Sequence, residues 1–174
     1  MTAPRHLPAA EYVRNLLDYD PVTGCLIWKP RPCKPWSSGF AGKVAGSPSM
    51  QGHIKVRVDG VTYLAHRLIW LIICGVEPSN QIDHKNGDPA DNRWLNLREA
   101  TSQDNNRNRR IGRNNSSGFK GVCYSWRHRN FPWKASIGID GKQEHLGYFA
   151  TAELAHAAYC AAAAIKYGKF ARAA

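Results

Sequence analysis

The chain has 174 residues, enough for one domain or two small ones, and its 43% hydrophobic and 21% charged residues are those of an ordinary globular protein. Its net charge of +11 attracts polyanions, nucleic acid first among them. The five cysteines (Cys25, Cys33, Cys74, Cys123, Cys160) include no Cys-x-x-Cys pair, which excludes a zinc ribbon, and their odd number and spread fit reduced thiols rather than a disulfide framework.

Residues 1–8 read as a loose tail without the apolar stretch of a signal peptide. Ala9 to Tyr19 has helical spacing, with Val13, Leu16 and Leu17 on one side, and Asp20-Pro21 stops it. Cys25 to Lys29 is a short strand, and Pro30 to Gly42 an irregular loop. His53 to Val58 alternates polar and apolar, Asp59-Gly60 turns the chain, and Val61 to Leu64 returns as a hairpin. Ala65 to Cys74 is an apolar helix ended by Gly75, and its run from Leu68 to Cys74 is too short to cross a bilayer.

Gln81 to His84 and Asn96 to Ala100 read as short strands around a long Asn/Asp/Gly/Pro turn. Thr101 and Asp104 have capping-box spacing for a helix from Ser102 to Arg110. Residues 111–118 form a polar linker. Phe119 to Arg127, Phe131 to Ile139 and Gln143 to Phe149 are strands, with a hairpin turn at Asp140-Gly141. Thr151 to Tyr167 is an alanine-rich helix with Gly168 as its stop. The expected fold class is α+β: a ββα core preceded by a β-hairpin and helix, and followed by a three-stranded antiparallel sheet on one helix. Four segments result: an N-terminal helix and irregular β region (1–52), the motif region (53–110), the linker (111–118) and a C-terminal module (119–174).

The strand-loop-strand-helix segment carries the chemistry. Asp83 and His84 place an acid beside a base, with Asn96 thirteen residues after Asp83 and Asn105 nine further on. A histidine can take a proton from water near neutral pH. A carboxylate and an amide oxygen are hard donors suited to magnesium or manganese. Asn96 is placed to pin the long loop and so hold His84. Asn106 and Asn108 rival Asn105, which only the register favours. His66 opens the apolar helix and is given a packing or capping role.

The stretch Ile82-Asp83-His84-Lys85-Asn86-Gly87-Asp88, then Asn92, Asn96-Leu97-Arg98 and Asn105, resembles the HNH (His-Me finger) endonucleases, most closely the homing type. With His66-Arg67-Leu68 upstream, the resemblance spans roughly 53–110. It implies a ββα-metal fold, a catalytic His84 as general base, a catalytic Asn96 orienting the loop, and Asp83 and Asn105 as ligands of Mg2+ or Mn2+. No structural zinc is expected. The implied products are 5′-phosphate and 3′-hydroxyl ends.

From Arg107 to Arg129 there is no acidic residue. Arg107, Arg109, Arg110 and Arg113 are therefore candidate phosphate contacts beside the core. Further on, Ser117 to Val122, Trp133-Lys134-Ala135, Leu146 to Phe149 and Thr151 to Ala155 resemble the Apetala-two/ethylene-response-factor DNA-binding domain, three strands backed by a helix. Alternation places Phe119, Val122, Trp133, Ala135, Ile137, Leu146 and Phe149 toward the helix. It leaves Lys120, Ser125, Arg127, Lys134, Ser136, Gln143 and His145 on the outer face, all but Ser136 as candidate DNA contacts. Trp126 is assigned to neither side.

The reading is a metal-dependent DNA endonuclease of a phage or mobile element, nicking or cutting both strands. It acts on double-stranded DNA without a membrane partner, as a monomer or weak dimer. Its place is the cytoplasm, that of the host cell if phage-encoded. The alternatives are a DNA-binding protein with an inactive nuclease core and, on charge alone, an RNA-binding protein.

Overall fold

The computed structural model describes residues 6–32, 39–108, 111–112 and 114–171. The chain divides into two compact units, Met1–Ala100 and Thr101–Ala174. The first begins with helix α1 (Ala10–Leu16), which gives way to strand β1 (Leu17–Asp20) paired antiparallel with β2 (Cys25–Trp28). The expected helix to Tyr19 is thus cut short. Leu17 and Leu26 fill the core from the hairpin at 1% and 2% exposure, a burial that continuing the helix would forgo. Asp20 fastens the turn by accepting hydrogen bonds from the Val22 backbone N–H and the Thr23 hydroxyl.

A second sheet has the order β3 (Ser47–Pro48), β4 (Ile54–Val58), β5 (Val61–Leu64). Its hairpin turns at Asp59 and Gly60 with φ of 46° and 80°, both left-handed, the geometry of a two-residue turn matched to strand twist. Helix α2 (Ala65–Cys74) follows directly, buries Leu68 and Ile69 completely, and ends at Gly75 with φ 75°. Strands β6 (Gln81–His84) and β7 (Leu97–Ala100) then pair antiparallel, with Trp94–Asn96 forming one 3-10 turn just ahead of β7. Val13, Leu16, Leu26, Val56, Leu68, Ile82 and Leu97 share a single apolar cluster, so β6 is anchored on the core of this unit through Ile82.

The second unit opens with helix α3 (Ser102–Asn108). Its capping box forms reciprocally: the Asp104 N–H donates to Thr101 Oγ1 at 3.2 Å, and the Thr101 N–H donates to the Asp104 carboxylate at 3.3 Å. Strands β8 (Val122–Tyr124), β9 (Trp133–Ile139) and β10 (Lys142–Phe149) form an antiparallel sheet with β9 central, packed on helix α4 (Ala152–Tyr167). Thr151 caps α4 by accepting from the Leu154 N–H. Strand β8 is shorter than expected, because the chain from Phe119 arrives through a left-handed Gly121 (φ 74°). No helix among the described residues is long and apolar enough to cross a membrane. The fold class is mixed α+β, as expected, with small antiparallel sheets.

Candidate active site

The site begins at the end of β6. Ile82 enters the core, and Asp83 and His84 are buried as well, at 7% and 6% exposure. Register places Asp83 opposite Arg98 and His84 opposite Leu97. Arg98 donates from Nε and reaches with Nη2 to the same carboxylate oxygen, Asp83 Oδ2, at 2.8 and 2.6 Å. This pair fixes the carboxylate on the sheet and supplies the counter-charge that a buried anion requires.

His84 is oriented by Asn92, which is only 2% exposed. His84 Nε2 lies 3.0 Å from Asn92 Oδ1, while Asn92 Nδ2 donates to the Ala90 carbonyl at 3.3 Å. The amide nitrogen is therefore turned away, and the oxygen faces the ring as acceptor. His84 Nε2 must carry the proton, and in the neutral ring the lone pair sits on Nδ1. Asn92 is held in turn: Tyr19 donates its hydroxyl to the Asn92 carbonyl at 3.0 Å. A Cβ on Gly24, between β1 and β2, would stand 2.6 Å from the Arg93 nitrogen and 2.7 Å from the Asn92 carbonyl carbon. The N-terminal hairpin thus buttresses the residue that sets the His84 tautomer. Asn92 stands in the motif, yet in a run of Asn and Asp it looks like another turn former, and nothing local marks it as the partner of His84.

Asn96 closes the long loop on itself. Its Nδ2 donates to the Asn86 side chain (3.0 Å) and the Asp91 carbonyl (2.7 Å), and its Oδ1 accepts from the Asn86 N–H. Its own carbonyl accepts from the Lys85 N–H at 2.8 Å, so both ends of the loop are tied beside His84. Asp91 adds a clamp on Asn86 and Arg93, and the Arg93 guanidinium holds its carboxyl down to about 2.

Two more histidines face His84. His53 precedes β4 and His66 opens α2, and the three rings lie 5.1 to 5.9 Å apart between centroids. Burial pushes His66 down to about 3, with the charges of His84, His53 and Arg67 adding to it, and burial lowers His53 as well. The unfolded chain protonates these rings near pH 6.5, and the folded chain does so only below that. The stabilisation from His66 is thus complete above about pH 6.5 and is lost as the pH falls toward 3, at about 1.4 kcal/mol per pH unit. Melting temperature is expected to fall between pH 7 and 4.5, with a shallower slope in His66→Gln. Equal slopes would remove His66 from this role.

In the second unit, Asn105 is half-buried on α3 while Asn106 is exposed and Asn108 buried. Arg107 is compensated within that unit: it reaches Asp104 at 3.1 Å and Asp140 at 3.6 Å, and lies over the Tyr167 ring. The Lys120 ammonium donates to the Arg107 carbonyl at 2.5 Å, off the outer face of the sheet where alternation had put it. Arg109, Arg110 and Arg113 lie outside the described residues. On the outer face, register pairs Lys134 with Tyr148, Ser136 with His145, and Gly138 with Gln143. A bulge between His145 and Gly147 turns Tyr148 to the His145 side, their rings 4.7 Å apart, and lets Leu146 and Phe149 share the core side. Ser125 is half-buried, and Arg127 stacks over the exposed Trp126. Tyr124, Trp126 and Phe131 are 60%, 79% and 54% exposed, an aromatic edge around the β8–β9 connection.

The donor chemistry suits a hard divalent cation. The carboxylate of Asp83, fixed by Arg98, is the kind of oxygen donor such an ion takes.

The profile of the HNH endonuclease family matches residues 63–107, inside the span of the resemblance. Protein 3.8 of Escherichia phage T7 is 32% identical over 82 residues, covering 47% of this chain and 66% of the phage protein. A solved structure of the HNH homing endonuclease I-HmuI, concerned with its DNA binding and cleavage, aligns with 60% of this chain and 57% of its own at 22% identity and a TM-score of 0.42. The chain spans less than two thirds of either protein's length.

Proposed function

We propose that the HNH endonuclease domain at residues 63–107 makes this chain a divalent-metal-dependent DNA endonuclease with His84 as its general base. The observation that carries the reading is the Asn92–His84 hydrogen bond, which leaves the lone pair on Nδ1. A water gives its proton to Nδ1, and the resulting hydroxide forms a bond to phosphorus as the bond to the 3′ oxygen breaks. The 3′ oxygen takes a proton from solvent, leaving a 3′-hydroxyl and a 5′-phosphate. Asp83 and Asn105 are the ligands proposed for Mg2+ or Mn2+, which when bound would stabilise the charge that builds on the phosphate. Asn96 positions the loop beside the base, and Arg98 positions Asp83.

The β8–β10 sheet is proposed as an Apetala-two-like reader of duplex DNA. Lys134, Ser136, Gln143 and His145 form its polar outer face, and Arg127 and Trp126 its edge. Arg109, Arg110 and Arg113 remain proposed phosphate contacts from sequence. The test is supercoiled plasmid incubated with Mg2+ or Mn2+. Relaxed circles should appear, EDTA should stop them, and the nicks should be sealed by a ligase that requires 5′-phosphate and 3′-hydroxyl ends. The ion pair of Asp83 with Arg98 favours one competing reading, a DNA binder with an idle core, since it occupies a carboxylate oxygen. That reading predicts duplex binding unaffected by EDTA and no relaxed circles with either metal.

A further inference from the structure

We propose that His53, His66 and His84 form a second metal site, of imidazole ligands only, which takes a zinc-class cation (Zn2+, Co2+ or Ni2+) and silences cutting when filled. The three residues come from different elements, yet their ligand nitrogens all lie within 4.8 Å of one another. Nitrogens on one tetrahedral ion at about 2.1 Å lie about 3.4 Å apart, so ring rotations that bring the nitrogens together by roughly an ångström complete the site. His66 Nδ1 is buried with no hydrogen-bond partner. Edge-to-face packing of the rings accounts for their apolar surfaces but not for that orphaned nitrogen, whereas a metal would satisfy it.

The ligand set determines the cation class. No carboxylate or thiolate belongs to this group among the described residues. Neutral imidazoles favour zinc, cobalt and nickel over magnesium, which demands oxygen. Three such ligands leave a fourth position for water. The silencing follows from His84 belonging to both constellations, and it rests on the proposed role of that ring as base. The metal site itself does not.

The experiment uses the full chain freed of metal. Co2+ is titrated by visible absorption and Zn2+ by calorimetry, and plasmid nicking in Mg2+ is then followed as Zn2+ is added. One equivalent should bind, with a cobalt spectrum lacking thiolate charge-transfer bands. His53→Ala, whose half-buried position tolerates truncation, and His66→Gln should each weaken binding ~10-fold or more. Asp83→Asn should bind Zn2+ as the wild type does. Zinc should stop wild-type nicking at concentrations that His53→Ala resists. Absence of saturable binding, or wild-type affinity in both His53→Ala and His66→Gln, overturns the site. Binding without inhibition overturns the silencing and His84's role as base. A chain that never nicks in Mg2+ removes the nuclease reading, and the titration then decides the metal site alone.

Discussion

His84→Ala is expected to reduce plasmid nicking by ~10²–10⁴-fold, the usual contribution of a positioned general base, while duplex binding stays close to wild type. Binding is spared because the proposed DNA contacts lie in the second unit and along the basic segment. Asn92→Leu should reproduce much of the loss without touching a reacting atom. It removes the acceptor that holds the proton on Nε2, so the ring samples the other tautomer and loses its orientation. Asn92→Asp keeps an acceptor at that place and should retain more activity than Asn92→Leu. Exogenous imidazole offers a further readout, since it can restore a missing base in His84→Ala but cannot reorient a ring that is present. Nicking by His84→Ala at the wild-type rate would dismiss His84 as the base. Equal activity in Asn92→Leu and the wild type would dismiss the tautomer argument.

Much of this architecture can be read from local chemistry. Asp59-Gly60 and Asp140-Gly141 announce their hairpins because only such pairs enter the left-handed region cheaply at both positions. Thr101 and Asp104 announce α3 because each side chain satisfies a backbone donor at the helix start. The inward positions of the second sheet follow from alternation: Val122, Ala135 and Ile137 are buried, and Phe119, Trp133, Leu146 and Phe149 pack beside them. What stays hidden depends on distance along the chain. Leu16 and Leu17 extend a helical pattern, and only the partner strand Cys25–Trp28 makes Leu17 the start of a strand. His53 and His66 look incidental beside His84, because nothing local shows that a hairpin and a helix bring their rings against that strand. The β10 bulge, which moves Tyr148 to the outer face, depends likewise on pairing with β9. The sequence therefore suggested which residues carry chemistry, and tertiary contacts supplied those that aim them: Asn92, Tyr19 and Gly24.

Gly121→Ala is expected to unfold the second unit at temperatures where the first remains folded. Gly121 has φ 74°, and a Cβ there would stand 2.1 Å from Tyr159 Cδ2 and 2.5 Å from Cε2. The Tyr159 ring cannot yield easily, because it is 4% exposed and clustered with Ile137 of β9 and with Ala163 and Tyr167 of α4. Left-handed strain and overpacking each cost about 1–3 kcal/mol. A domain of this size has only roughly 5–10 kcal/mol to lose. The same glycine carbonyl accepts from the Ser136 N–H on β9 at 2.9 Å, so a shift of Gly121 also loosens the central strand. The expected melt separates into two steps, the lower one belonging to the second unit, and duplex affinity falls with it. Tyr159→Leu added to Gly121→Ala should recover part of the loss, since it relieves the clash but not the backbone strain. A single melting transition at the wild-type temperature would show that Gly121 does not hold the sheet to α4. Two melting steps with unchanged duplex affinity would move the DNA grip off the sheet and onto the basic segment ahead of it.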